Sequence, residues 1–378
     1  MTVLKGLKAL ISLCAAVLCL VGQAAEVVLT QVAPLNDENP TSRHLSLGLR
    51  IYFEAVNNSG GIHGAAVRFV TKDRSLDASE AGRQTKQFVE ESQPVMMVGL
   101  MGTGWMEEVV KSRILNETAM PVVGIRTGSV SLHEPVHPYL FHTRASYRGE
   151  IQTVLRQLAT MGLSRISVFY EESAFGREGV SLVQKELLTI PSLALVGKSS
   201  YPVNTTNVTD ALTEIGKAQP QCVIAIATSA ATAEFYKTLR ESGGTAQVIA
   251  LSVADGAEVV KRIGKQSARG LILTHVVPDP TNRAIPIVGE LHQNMKRYGP
   301  PGAPINHAVV EGYIIAKTAA AALTKAGPKP TRARVRAALD SLSNYDLGGV
   351  IIDFSPTNHT GSKHVEMGIV LSSGKMMR

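Results

Sequence analysis

The sequence predicts an α/β protein of two doubly wound lobes, each built on a parallel sheet, and three observations carry that prediction. From Glu26 onward, short β-branched runs alternate with amphipathic helical stretches, the pattern of parallel sheets covered on both faces. The rhythm pauses at Tyr139-Leu-Phe141 and then resumes, so there are two such runs, each too short to fill the chain. The length of 378 residues also exceeds the ~250–300 at which a single core usually stops growing. At 44% hydrophobic and 18% charged, with scattered Gly and Pro, the composition excludes a disordered, collagen-like or low-complexity chain.

The first 24 residues read as a secretory signal. Lys5 and Lys8 precede an apolar run from Ala9 to Val21, and small residues follow it, with cleavage expected after Ala24. The run is shorter than the ~20 residues of a spanning helix. Losing two lysines and no acid takes the formal charge from +7 to +5. Cys14 and Cys19 leave as well, so Cys222 is the one thiol of the mature chain and no internal disulfide can form. The expected location is the periplasm.

The elements then follow in order. Val27–Thr30 reads as a strand. Leu45, Leu49, Phe53 and Val56 recur on one helical face, and Gly60-Gly61 ends that helix. Val67–Val70 is the next strand, residues 78–91 a helix, Val95–Val98 a strand, and a helix from Trp105 leads to a short strand at Val122-Val123. In the second run, strands at 166–169, 193–196, 223–227 and 248–251 alternate with helices near 147–161, 176–188, 208–218 and 231–241. Cys222 opens the apolar run Cys-Val-Ile-Ala-Ile-Ala and reads as a buried strand residue, not a nucleophile. After Leu271–Val277 the pattern turns helical over 285–298, 308–323 and 332–342, and strand-like 350–354 and 365–371 finish the chain.

Several motifs fail on inspection. His133-Glu134-Pro135-Val136-His137 spells a zinc-peptidase pattern, but the chemistry needs both histidines on one helix face, and Pro135 and Pro138 oppose a helix there. Gly197-Lys-Ser199 lacks the earlier P-loop glycine, since Ser192 stands in its place, and Gly102-Thr-Gly104 lacks the third glycine of a dinucleotide fingerprint. The basic run Arg332-Ala-Arg-Val-Arg336 has no aromatic interleaving and reads as a solvated helix face, which speaks against nucleic acid. No catalytic residue, metal ligand or cofactor is expected.

One set of motifs is more specific. Phe53-Glu-Ala-Val-Asn-Asn-Ser-Gly-Gly-Ile-His-Gly64 followed by Val67-Arg-Phe-Val70 resembles the opening of the periplasmic leucine/isoleucine/valine-binding protein family. Val98-Gly-Leu-Met-Gly-Thr103, Met120-Pro-Val-Val-Gly124, Arg126-Thr-Gly-Ser-Val130, Phe169-Tyr-Glu-Glu-Ser-Ala-Phe-Gly176 and Glu311-Gly-Tyr-Ile-Ile-Ala316 continue the match in order. The resemblance implies the type I periplasmic binding protein fold: two lobes joined by three hinge crossings, closing on a small ligand that an ABC transporter then receives. It divides the chain into a first lobe of residues 25–144 plus 277–349 and a second of 145–276 plus 350–378. A monomer is expected, and no chemical step.

Carried over residue by residue, the resemblance places Gly102 and Thr103 at a ligand carboxylate, Thr127, Gly128 and Ser129 in the next binding loop, and Phe175 on the ligand from the second lobe. Asp255 falls close to the acid that holds a ligand ammonium. Trp105, Tyr147 and Arg43 are further candidates, with Arg43 and His44 at the cleft mouth and Trp105 reading more as a packing residue than as cleft lining, while Arg144 reads as a hinge residue. Thr103 reads as a ligand contact ahead of its alternative, a helix cap, while Asp255 is equally placed to cap a helix and Ser129 to make a turn. Thr228-Ser-Ala-Ala231 departs from the family, which carries a tyrosine in that loop when the ligand is a branched-chain amino acid. The expected ligand is thus an amino acid or another small carboxylate, with an aromatic or dicarboxylic acid as the rival. A sensory receptor reporting to a separate membrane partner, and an exported zinc hydrolase resting on His133 and His137, are the competing classes.

Overall fold

A computed structural model describes residues 26–35 and 40–377. The signal segment expected over 1–24 lies outside the described residues. In the first lobe the chain runs β1 (Glu26–Ala33), α1 (Thr41–Asn58), β2 (Ala66–Asp73), α2 (Ala81–Ser92), β3 (Met96–Val98), α3 (Thr103–Lys111), α4 (Ile114–Glu117), β4 (Val122–Val123), α5 (Val130–His133) and β5 (Leu140–Phe141). The second lobe follows with α6 (Tyr147–Thr160), β6 (Arg165–Glu171), α7 (Ala174–Leu187), β7 (Ala194–Tyr201), α8 (Thr209–Ala218), β8 (Cys222–Ile226), α9 (Ser229–Glu241), β9 (Gln247–Ala250), α10 (Gly256–Ile263), α11 (Lys265–Ala268) and β10 (Ile272–His275). The tail holds α12 (Pro286–Tyr298), α13 (His307–Ala326), α14 (Arg332–Asp340), β11 (Tyr345–Asp346), β12 (Ile351–Ile352), β13 (Glu366–Val370) and β14 (Met376–Met377).

The first sheet has the order β2-β1-β3-β4-β5, all parallel. The second repeats that order as β7-β6-β8-β9-β10, also parallel, and adds β13 and β14 antiparallel at its far edge. In each lobe the first strand has neighbours reached by crossovers in opposite directions. The crevice outside the carboxyl ends of the strands, at that switch point, is where such sheets hold ligands.

The β-branched and apolar strand residues are buried because helices cover both faces: Met96, Met97 and Val98 are fully buried, as are all five residues of β8. Helix α1 turns Leu45, Leu49 and Phe53 inward at the predicted spacing. Against it lies α13, whose approach depends on two glycines. A Cβ on Gly48 would stand 2.1 Å from the Val309 carbonyl oxygen, and one on Gly312 would stand 2.1 Å from that of Leu45. The two helices therefore touch backbone to backbone.

Three segments cross between the lobes. The first, after β5, pairs with the third: the His142 N–H donates to the His359 carbonyl at 2.8 Å, and the Gly361 N–H to the His142 carbonyl at 2.8 Å. The second leaves β10 at Val276. The third departs from the expected boundary at 349/350. Val350, Ile352 and Phe354 lie in the core of the first lobe, with the Phe354 ring edge-on to Phe141 at 5.2 Å. The chain therefore crosses after Phe354, because an apolar run has more to gain in that core than in a hinge.

Candidate functional site

The site forms where β3 and β4 end. Past β3 the chain turns at Gly102, at φ +95°, and enters α3 at Thr103. The Thr103 hydroxyl does not cap that helix. It lies 2.7 Å from the Thr127 hydroxyl in the loop after β4. Thr127 Oγ1 donates to the Tyr147 hydroxyl at 3.3 Å and accepts the Ser129 N–H at 3.2 Å. Ser129 Oγ pairs with Ser131 Oγ at 2.8 Å instead of capping α5.

Gly128 is needed here for space, since a Cβ would stand 2.7 Å from the Tyr147 amide nitrogen, whose N–H donates to the Gly128 carbonyl at 2.6 Å. Burial pushes the Tyr147 phenol above its ordinary value, so it serves as a neutral hydroxyl. Its ring lies 5.1 Å from that of Phe175, which starts α7 in the second lobe. The structure thus joins Thr103, Thr127, Gly128, Ser129, Tyr147 and Phe175, six of the residues expected at the site, into one wall of hydroxyls and aromatic faces spanning both lobes. Preplaced hydroxyls suit a carboxylate because they are donors with little desolvation cost.

Asp255 follows β9 in the second lobe. Its Oδ1 caps α10 by accepting the N–H groups of Ala257 at 2.9 Å and Glu258 at 3.1 Å. Its Oδ2 is buried with no hydrogen-bond partner, and the residue is 4% exposed. Across from it stands His44 of the first lobe. Burial lowers the His44 pKa, against a raising pull from Asp255 and Glu258, and Nδ1 of the ring accepts from the Asn306 amide at 2.8 Å. Capping and an available oxygen thus coexist at Asp255.

Two candidates go elsewhere. Arg43 is exposed; it donates to the Leu35 carbonyl at 3.2 Å and lines a groove of about 570 Å³ between α1 and β2, on the flank of the first lobe. Trp105 is buried in the first lobe among Leu100, Met106 and Val109, with the Arg74 guanidinium 4.3 Å over its ring. Arg74, which sequence reasoning passed over, donates to the Met101 carbonyl at 3.1 Å beside Gly102. Its place directly after β2, in a post-strand loop, was the available signal.

Arg144 occupies the hinge as expected. It pairs with Glu311 at 3.1 Å and Glu150 at 3.3 Å, and it bonds the Ser252 hydroxyl. Arg126 meets the other oxygen of Glu311 at 3.2 Å. Glu150 also accepts the Ser252 N–H at 2.8 Å and the Thr274 hydroxyl. This buried network reaches from α13 of the first lobe to the ends of β9 and β10 in the second.

The zinc-peptidase pattern does not take up its required form. Helix α5 ends at His133, and Glu134 is extended at φ −135° and ψ 125°. His133 bonds Thr360 Oγ1 at 2.7 Å and stacks on His142 at 3.7 Å. Burial pushes the His142 imidazole down to about 3 and that of His133 well below its ordinary value, so both are neutral hinge residues. Among the described residues no three His, Cys, Asp or Glu side chains are grouped to hold a metal, and no helix is long and apolar enough to cross a membrane.

Known proteins give the same frame. The family profile described as "Periplasmic binding protein" matches residues 38–375. A substrate-binding periplasmic protein from Ralstonia solanacearum shares 33% identity over 93% of this chain and 99% of its own, with a TM-score of 0.88. An extracellular ligand-binding receptor from Verminephrobacter eiseniae shares 25% identity over 94% of this chain and 100% of its own, with a TM-score of 0.87. A branched-chain amino acid ABC transporter protein from Thermus thermophilus, solved with bound valine, shares the fold at 17% identity, with a TM-score of 0.82 over 94% of this chain and 95% of its own. No curated protein matches by sequence. On the profile match and the full-length likeness to the Ralstonia protein, this chain belongs to the periplasmic binding protein family, with the type I fold.

Proposed function

We propose that the protein captures a small carboxylate-bearing solute, in the first instance an α-amino acid, in the crevice between its lobes and delivers it to the permease of an ABC transporter. The observation that carries this reading is Asp255 Oδ2, a buried carboxylate oxygen with no partner at the strand ends of the second lobe. A buried charge without a counterpart is costly, and a ligand ammonium would supply the counterpart. On the other wall, the hydroxyl chain from Thr103 through Thr127 ends at Tyr147, whose own O–H is a donor for the carboxylate of the same ligand. The two walls together thus match the two ends of an amino acid. One observation favours a second reading, an acid lacking an amine: the Arg74 guanidinium beside Gly102 offers a cation on the carboxylate side.

A thermal-shift screen of the purified protein against α-amino acids and their des-amino analogues separates the two readings. A ligand at a hundred times its dissociation constant adds about 2.7 kcal/mol, enough to raise the melting temperature by several degrees. The expected result is a rise with α-amino acids and none with the des-amino acids. A rise only with acids lacking an amine would replace the first reading by the second. No rise with either class would reject both.

A further inference from the structure

We propose that Glu178 is a latch that holds the lobes closed by clasping the candidate binding loop itself. Glu178 lies on α7 of the second lobe, and its Oε1 accepts two main-chain N–H groups of the first: Val130 at 2.7 Å and Ser131 at 3.1 Å. The preceding N–H, that of Ser129, is taken by Thr127 Oγ1. Three consecutive donors of the loop after β4 are therefore occupied, two of them by the opposite lobe. The loop is tied in turn to α3, where the Ser131 hydroxyl donates to Glu107 at 2.9 Å.

The surroundings let this contact report on closure. Helix α3 meets α7 through small residues, with the Cβ position of Gly104 3.9 Å from the Ala174 Cβ. Nothing bulky separates the lobes at that point, and opening them withdraws Glu178 from both N–H groups at once. Glu178 Oε2 is buried without a hydrogen-bond partner, so the carboxylate is largely stripped of water when the lobes meet. Its two remaining bonds are charge-assisted and lie in a poorly solvated place, where such bonds are strongest. An exposed carboxylate pair that also spans the lobes differs in kind. Arg148 reaches Glu134 at 2.8 Å, but the Glu134 side chain is 64% exposed, where ion pairs contribute little.

The latch raises the closed fraction of the ligand-free protein. It also joins ligand contact to lobe contact, because the loop carrying Thr127 and Ser129 is the segment Glu178 holds. Glu178 is a positioning residue, touching no ligand in this scheme. The proposal needs no particular solute, so its failure would leave the ligand assignment standing, and a failed ligand screen would leave the latch standing.

The test is hydrogen exchange on protein stripped of bound solutes by unfolding and refolding, comparing wild type with Glu178→Ala, Glu178→Gln and the control Glu134→Gln. In Glu178→Ala the amides of residues 129–131 should exchange about tenfold faster, and so should those of 103–105 and 173–175, which face each other across the closed contact. The melting temperature should stay near that of wild type. Glu178→Gln keeps an acceptor oxygen without the charge and should fall between, near threefold; it carries the test if the alanine variant does not fold. Glu134→Gln should match wild type. Faster exchange confined to 129–131 would mean a local bond without control of closure, and unchanged exchange throughout would mean no latch; either result overturns the proposal.

Discussion

At Asp255 one carboxylate oxygen caps α10 through two N–H groups while the other is buried without a partner. Replacing Asp255 by Asn keeps a capping oxygen and removes the charge. The ligand-free protein should then be stabilised by about 1 kcal/mol, since an uncompensated buried charge is gone. Affinity for an α-amino acid should fall by about 2–3 kcal/mol, the cost of losing a partner for a charged group. Calorimetric unfolding and titration of the same two samples measure both. An unchanged affinity would remove Asp255 from the site. Thr103 shows the limit of reading a side chain from its neighbours in sequence. Placed at the start of a helix, it keeps capping open as an alternative to ligand contact, and only its 2.7 Å approach to Thr127 decides against capping.

Among the elements, α1 and α13 are the pair on which the first lobe depends. Their backbones touch at Gly48 and Gly312, where a Cβ would meet a carbonyl oxygen at 2.1 Å. Gly312→Ala must force the helices apart, and destabilisation of about 1–3 kcal/mol, the range for overpacked cores, should appear in urea unfolding at unchanged m-value. A neutral substitution would mean that the helices have room to slide. The apolar spacing of α1, with Leu45, Leu49 and Phe53 turned inward, was legible because helical period is a local property. The close approach was not, because it depends on two glycines 264 residues apart that nothing local connects.

For the molecule as a whole, the buried ions around Arg144 tie one lobe to the other. Arg144 is 1% exposed and joins Glu311 of the first lobe to Glu150 of the second. Arg144→Met would leave buried Glu150 with no cation and Glu311 with Arg126 alone, and should cost about 3–5 kcal/mol of stability. Urea unfolding of the variant beside wild type measures the loss. A midpoint equal to that of wild type would show that Arg144 contributes nothing to stability.

What the sequence by itself determined about this protein is the alternation of strands and helices, the restart after Phe141, the glycine- and hydroxyl-rich loops at the strand ends and, through motifs in order, the family. Each of these is written in short stretches of chain, where backbone period and turn chemistry act. Tertiary structure alone decided which loops meet. It brought Thr103 to Thr127, set Glu178 on the Val130 and Ser131 amides, and sent Arg43 to an outer groove instead of the crevice. It also kept Ile352 and Phe354 in the first lobe when the resemblance implied the second. The physical reason is one of range: contacts between segments far apart in sequence are chosen by packing and burial over the whole molecule, and no local period records them.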